Sequence, residues 1–136
     1  DDVAVHVRRG DYLTMPEHLP ALSESYYERA FLAQIESGFR AFAIFSDDPA
    51  WCQGRFGVWP VVSSDGMPTS EGEPTDWLDL FRMARYRNLV IANSSYSWWA
   101  AFLAGPEATV CYPSVWFGPK IDVASPALPE WIEVAA

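Results

Sequence analysis

The chain has 136 residues, half of them hydrophobic and 20% charged, which suits one ordinary globular domain and excludes a disordered segment. Nine basic and 18 acidic residues leave a net charge of −9, a poor balance for general nucleic-acid binding, which draws on Lys and Arg. No apolar run approaches the roughly 20 residues of a membrane helix. The two cysteines, Cys52 and Cys111, are too few for a disulfide framework or a zinc site and read as buried thiols of a reducing compartment.

In chain order, Val3, Val5 and Val7 alternate with Ala4, His6 and Arg8, the period of a strand. Arg9-Gly10-Asp11 breaks it, and the prolines between Met15 and Leu22 predict a loop. Ser25 with Glu28 has the spacing of a capping box, so a helix is expected through Tyr27, Ala30, Phe31, Gln34 and Ile35, ended by Gly38. A second strand runs from Ala41 to Phe45. Asp48 before Pro49 predicts an N-cap and a short helix through Trp51 and Cys52. Val58 to Val62 reads as a third strand, and the polar stretch from Ser63 to Pro74 as a mobile loop.

Trp77, Leu80, Phe81 and Ala84 share a helical face, with Arg82, Arg85 and Arg87 toward its C-terminus. Leu89, Val90 and Ile91 form a fourth strand. Asn93-Ser94-Ser95 are N-cap types, and Tyr96 to Ala104 is a helix closed by Gly105-Pro106. Thr109 to Tyr112 is a fifth strand, and Trp131 to Val134 a last one in a Pro-rich tail. Strands alternating with helices predict βαβ units, an α/β Rossmann-like parallel sheet with helices on both faces. Ligands of such sheets bind beyond the C-terminal strand ends. The breaks after Val7, Phe45, Val62 and Ala92 should therefore share one edge.

Two features on that edge carry chemistry. Arg8 and Arg9 end the first strand, where guanidinium groups suit phosphate or carboxylate; the plainer reading is a surface arginine paired with Asp11. Asn93 to Ser97 opens a helix, whose free N–H groups and hydroxyls form an anion site; the plainer reading is capping alone. Asp47-Asp48 could be a metal-binding pair, but Pro49 favours a capping role. His18, between prolines, belongs to a loop, and Trp98 and Trp99 read as core. The sequence has no P-loop, no G-x-G-x-x-G and no Ser-His-Asp arrangement.

The string His6-Val7-Arg8-Arg9-Gly10-Asp11-Tyr12 resembles the H-x-R-R-G-D-Y motif of α-1,2-fucosyltransferases, glycosyltransferase family 11. Ile44-Phe45-Ser46-Asp47-Asp48, Asp79-Leu80-Phe81-Arg82-Met83, Ile91 to Trp99 (I-A-N-S-S-Y-S-W-W) and Tyr112-Pro113 to Trp116-Phe117 look like the same family in the same order. The resemblance implies transfer of fucose from GDP-β-L-fucose to the 2-hydroxyl of a galactose-containing glycan, with inversion and without a metal or other cofactor. It implies one half of a GT-B fold and a cytoplasmic, bacterial-type location, with a membrane-peripheral one as the variant.

By the same resemblance, Arg8 binds the β-phosphate of the leaving GDP and stabilises its growing charge. His6 and Asp79 hold guanine, and Ser94, Ser95 and Ser97 contact phosphate. Arg9 and Asp11 fix the loop or face the acceptor, Asp11 being the motif carboxylate to test as general base. Family members are about twice this length, in keeping with two domains. Residues 1–136 are thus expected to form a single GDP-fucose-binding domain without the acceptor-side half. The alternative is a nucleotide-sugar or glycan-binding module without turnover. An interface left uncovered could drive homodimerisation.

Overall fold

The computed structural model describes residues 3–62 and 76–136. Five parallel strands form one sheet in the order β2-β1-β3-β4-β5: β1 is Val3–Val7, β2 Phe42–Ser46, β3 Asn88–Val90, β4 Thr109–Pro113 and β5 Ile132–Val134. The helices are α1 Glu24–Glu36, α2 Pro49–Phe56, α3 Asp76–Met83 and α4 Ser95–Ala104, with a 3-10 turn at Asp11–Thr14. The α/β Rossmann-like arrangement expected from the alternation is present.

The period-2 pattern divides the core into two layers. Val3, Val5, Val7, Phe42, Ile44 and Val90 point to one face, packed under α1 and α2 by Tyr27, Phe31 and Phe56. Ala4, Ala43, Phe45, Leu89, Ile91 and Val110 point to the other, under Met83 of α3 and Ala100 and Ala101 of α4. Every residue of β1, β2 and β3 is buried, as in a sheet covered on both sides.

Val58 to Val62 departs from expectation. It forms only one parallel bridge, Val61 to Ile44, on the free side of β2. Pro60 has no N–H to give a ladder, so it contributes its carbonyl to Ile44 N at 3.0 Å, and Val58 is exposed. With that bridge counted as an edge, the chain follows the doubly wound order in which strands run outward from β1 in both directions. The order reverses between β1 and β3. The registers His6 to Phe45, Val7 to Ser46 and Val5 to Val90 bring the C-terminal ends of β1, β2 and β3 to one edge.

The capping box at Ser25 and Glu28 is also corrected. The N-cap of α1 is Ser23, whose hydroxyl lies 2.8 Å from that of Ser25 and makes no cap bond. Leu22 before the cap and Tyr27 four residues after it share a core, the positions of a hydrophobic staple, and this burial sets the helix start. At the other end Gly38 has φ of 100°, with Gly38 N bonded to Ile35 O and Phe39 N to Gln34 O, the Schellman pattern. The expected loop from Ser63 to Pro74 lies outside the described residues.

Trp98 packs on Trp131 and stacks on Phe102, whereas Trp99, expected in the core, is half-exposed, as are Phe102 and Leu103 beside it and Trp77 and Phe81 on α3. Among the described residues no helix is long and apolar enough to cross a membrane.

Candidate functional site

Two turns leave the reversal point side by side, one after β1 and one after β3. The first carries Arg8, Arg9 and Asp11. Arg8 Nη2 donates to Asp11 Oδ1 at 2.8 Å, and its Nε faces Asp47 Oδ2 at 3.3 Å. The pairing with Asp11 is the plainer reading of the sequence. It is an exposed i,i+3 pair, and such pairs contribute only about 0–1 kcal/mol. A diphosphate, with more charge and more acceptors, can therefore take the place of Asp11 on Arg8 at little cost.

Arg9 is held differently. Its backbone N donates to Asp47 Oδ1 at 2.9 Å, its Nε meets Asp48 Oδ2 at 3.2 Å, and its guanidinium lies 4.0 Å from the Trp51 ring centroid. Asp48 also caps α2 through Trp51 N at 3.1 Å. Asp47 and Asp48 thus clamp the loop and cap a helix, as Pro49 indicated. Gly10 lets Asp47 come this close, since a Cβ there would sit 2.5 Å from Asp47 Oδ2. Among the described residues no group of three or more His, Cys, Asp or Glu is placed to hold a metal ion.

The second turn opens α4. Ser94 Oγ accepts from Tyr96 N at 3.3 Å, so Ser94 is the N-cap. Ser95 is exposed at the helix start. Ser97 is fully buried, and its Oγ donates to Ala92 O at 3.3 Å, bracing the turn from beneath. The two turns are tied together by Tyr12, whose hydroxyl donates to Asn93 O at 3.1 Å and whose ring lies 5.4 Å from the Arg8 guanidinium.

His6 points to the α3–α4 side of the sheet, its ring 5.2 Å from that of Tyr96. Burial, reinforced by the Arg8 charge, lowers its pKa to about 3, so it is neutral at physiological pH. Its Nδ1 is buried without a hydrogen-bond partner among the described residues. Tyr96 donates to Asp76 O, and burial together with the charges of Asp79 and Asp76 raises its pKa. Asp79 is buried on α3 and accepts from Arg82 Nη1 at 3.3 Å. His6 and Asp79, 73 residues apart, thus both act on Tyr96.

Sequence reasoning gave no role to Tyr12, Tyr96 or Trp51. Tyr12 lends its ring to Arg8 within one motif, whereas Trp51 and Tyr96 lend theirs to Arg9 and His6 across the chain, contacts that no local pattern contains.

A cavity of about 440 Å³ lies at this edge, lined in part by Tyr12, Asn93, Ser95 and Trp98. A larger hollow, about 1000 Å³, borders the starting residues of β3 and β4, Asn88 and Thr109, together with Arg82, Arg85 and Arg87. The smaller one stands where parallel sheets bind ligands.

The profile of Glycosyl transferase family 11 matches residues 1–135. The chain belongs to this family. An O-antigen biosynthesis glycosyltransferase, WbnK of Escherichia coli, is 34% identical over 123 residues, 84% of this chain and 38% of that protein. An alpha-1,2-colitosyltransferase of Escherichia coli is 30% identical over 98% of this chain and 48% of its own length. The human galactoside alpha-(1,2)-fucosyltransferase 1 is 30% identical, covering 98% of this chain and 38% of the human protein. The family 11 chain therefore spans less than half the length of these relatives. No solved structure matches it.

Proposed function

We propose that this chain is the donor-binding part of a family 11 glycosyltransferase that takes GDP-β-L-fucose and passes fucose, with inversion, to the 2-hydroxyl of a galactoside. The observation that carries the reading is the place of Arg8, at the reversal point of the sheet, replaceably paired and beside the start of α4. A diphosphate there would meet a guanidinium on one side and Ser95 with the helix N-terminus on the other.

As the bond from sugar C1 to the β-phosphate oxygen breaks, negative charge grows on the phosphate, and Arg8 stabilises it without a metal. The acceptor hydroxyl attacks C1 and gives up its proton. In this reading Asp11, the exposed carboxylate paired with Arg8 at 2.8 Å, receives it. Neutral His6 offers a hydrogen bond rather than a charge to the base. Buried Asp79 suits the N1–H and 2-amino donors of guanine. The names of two relatives add a constraint, because colitose and fucose are both sugars whose C6 is a methyl group.

Titration of the chain with GDP and with ADP, in chelator, tests this. GDP should bind preferentially, Arg8→Ala should weaken it by about 1–3 kcal/mol, and Asp79→Asn should narrow the GDP-to-ADP ratio. Equal affinity for the two nucleotides would remove the donor assignment. GDP-fucose binding by the chain joined to no acceptor transfer, even with the remaining family segment supplied, would instead favour a binding module.

A further inference from the structure

We propose that the hollow of about 1000 Å³ at the start of β3 and β4 is a second binding site, for a phosphate ester carried on an apolar group. It is separate from the candidate donor site at the C-terminal strand ends and does not rest on the donor reading. Arg82, Arg85 and Arg87 all line the hollow, three of the nine basic residues of a chain whose net charge is −9. Against them stands Glu107, so the described lining carries two net positive charges. A phosphate monoester brings about −1.5 to −2 at neutral pH and matches that balance.

The end of α3 brings these arginines together. Arg85 N donates to Arg82 O at 3.2 Å and Tyr86 N to Met83 O at 3.0 Å, so the chain keeps turning past Met83. It then straightens into β3, and Thr109 N donates to Arg87 O at 2.8 Å, which fixes Arg87 beside the start of β4. Cations after a helix have a plainer role, complementing its dipole. Arg82 also has an acidic partner, its Nη1 lying 3.3 Å from Asp79 Oδ1. Arg85 and Arg87 are exposed, and their side chains have no hydrogen bond or ion pair among the described residues.

Exposed arginines alone would be an ordinary solvated surface. The second observation is the apolar wall they share: Phe39, Phe45, Val62 and Tyr86 line the same hollow. Phe45 and Tyr86 meet edge to face, their ring centroids 6.2 Å apart. A small hydrated ion gains nothing from such a wall. A ligand with an apolar body buries it there and sets its phosphate on the guanidinium forks of Arg85 and Arg87. The hollow is at the upper end of the range for small-ligand sites, on the order of 300–1,000 Å³.

The test is calorimetric titration of the chain with hexyl phosphate, inorganic phosphate and hexanol. Hexyl phosphate should bind about tenfold or more tighter than inorganic phosphate, a factor that burial of roughly two methylenes supplies. Hexanol, with the same carbon chain and no charge, should not bind. Arg85→Ala combined with Arg87→Ala should weaken hexyl phosphate about tenfold or more, and saturating GDP should not displace it from the parent chain. Hexyl phosphate no tighter than inorganic phosphate, or hexanol binding as tightly as hexyl phosphate, overturns the site with the unaltered chain alone. A double variant that binds as the parent does overturns it too, and displacement by GDP overturns it by placing the phosphate at the nucleotide edge. Sedimentation with phosphatidylcholine vesicles, with and without phosphatidic acid, separates the sources of the ester. Cosedimentation that requires phosphatidic acid supports the site with a lipid headgroup as its ligand; hexyl phosphate binding without it supports the site with a soluble phosphate ester.

Discussion

A histidine on a central parallel strand must give up its burial or its charge, and His6 gives up its charge. Its pKa, lowered to about 3 from 6.5 by burial and then by Arg8, lies below that of the unfolded chain. Between these values the unfolded chain binds a proton that the folded chain does not. Stability contributed by neutral His6 is therefore present above pH 6.5 and is lost as pH falls toward 3, at about 1.4 kcal/mol per pH unit. Denaturant unfolding from pH 7 to pH 5, above most carboxylate titration, should show this slope, and His6→Gln should flatten it. An unchanged slope in the variant would mean that His6 is already protonated or exposed. The chemical identity of this residue was legible in the sequence. Its neutrality was not, because it depends on Tyr96 and α3 closing over the strand.

Among the elements, α2 shows how a local signal can serve two ends. Asp48 caps the helix through Trp51 N and also holds Arg9, so the start of α2 and the loop after β1 are set by one carboxylate. Asp48→Asn keeps the capping oxygen and weakens the ion pair; Asp48→Ala removes both. Thermal or urea midpoints should place the Ala variant about 1–2 kcal/mol below the parent and the Asn variant between the two. An Asn variant as unstable as Ala would show that the charge, not the cap, sets the element. The Asp48-Pro49 start was readable because capping is decided within four residues. Ser25 and Glu28 had an equally good local pattern but lost to Leu22 and Tyr27, whose burial in one core no local window contains. Val58 to Val62 failed for a related reason. Its apolar residues suggested a strand, but Pro60 limits it to a single bridge at the sheet edge.

On the scale of the whole molecule, the reversal of strand order between β1 and β3 brings together residues that the sequence separates by more than 80 positions, as the bond from Tyr12 to Asn93 shows. The shared edge was predictable from alternation and the rule for parallel sheets. The cavity was not, since its walls come from the turn at Tyr12, from α4 and from the segment after β4. In the proposed reading, the residues at this edge other than Asp11 serve the donor. Asp11 is exposed and the Arg8 side chain is partly so, which leaves this pair open to water. The relatives carry more than half their length beyond the matched region, where an acceptor could be oriented. Orientation of the second reactant is worth several orders of magnitude in rate, and its absence leaves water as the competing nucleophile. The chain by itself should therefore bind GDP-fucose yet give free fucose rather than fucosylated galactoside in any turnover it shows. Product analysis with labelled donor and a galactoside in excess measures that partition. Predominant transfer would place the acceptor site within these 136 residues and assign its orientation to the α4 and Asp11 side of the crevice.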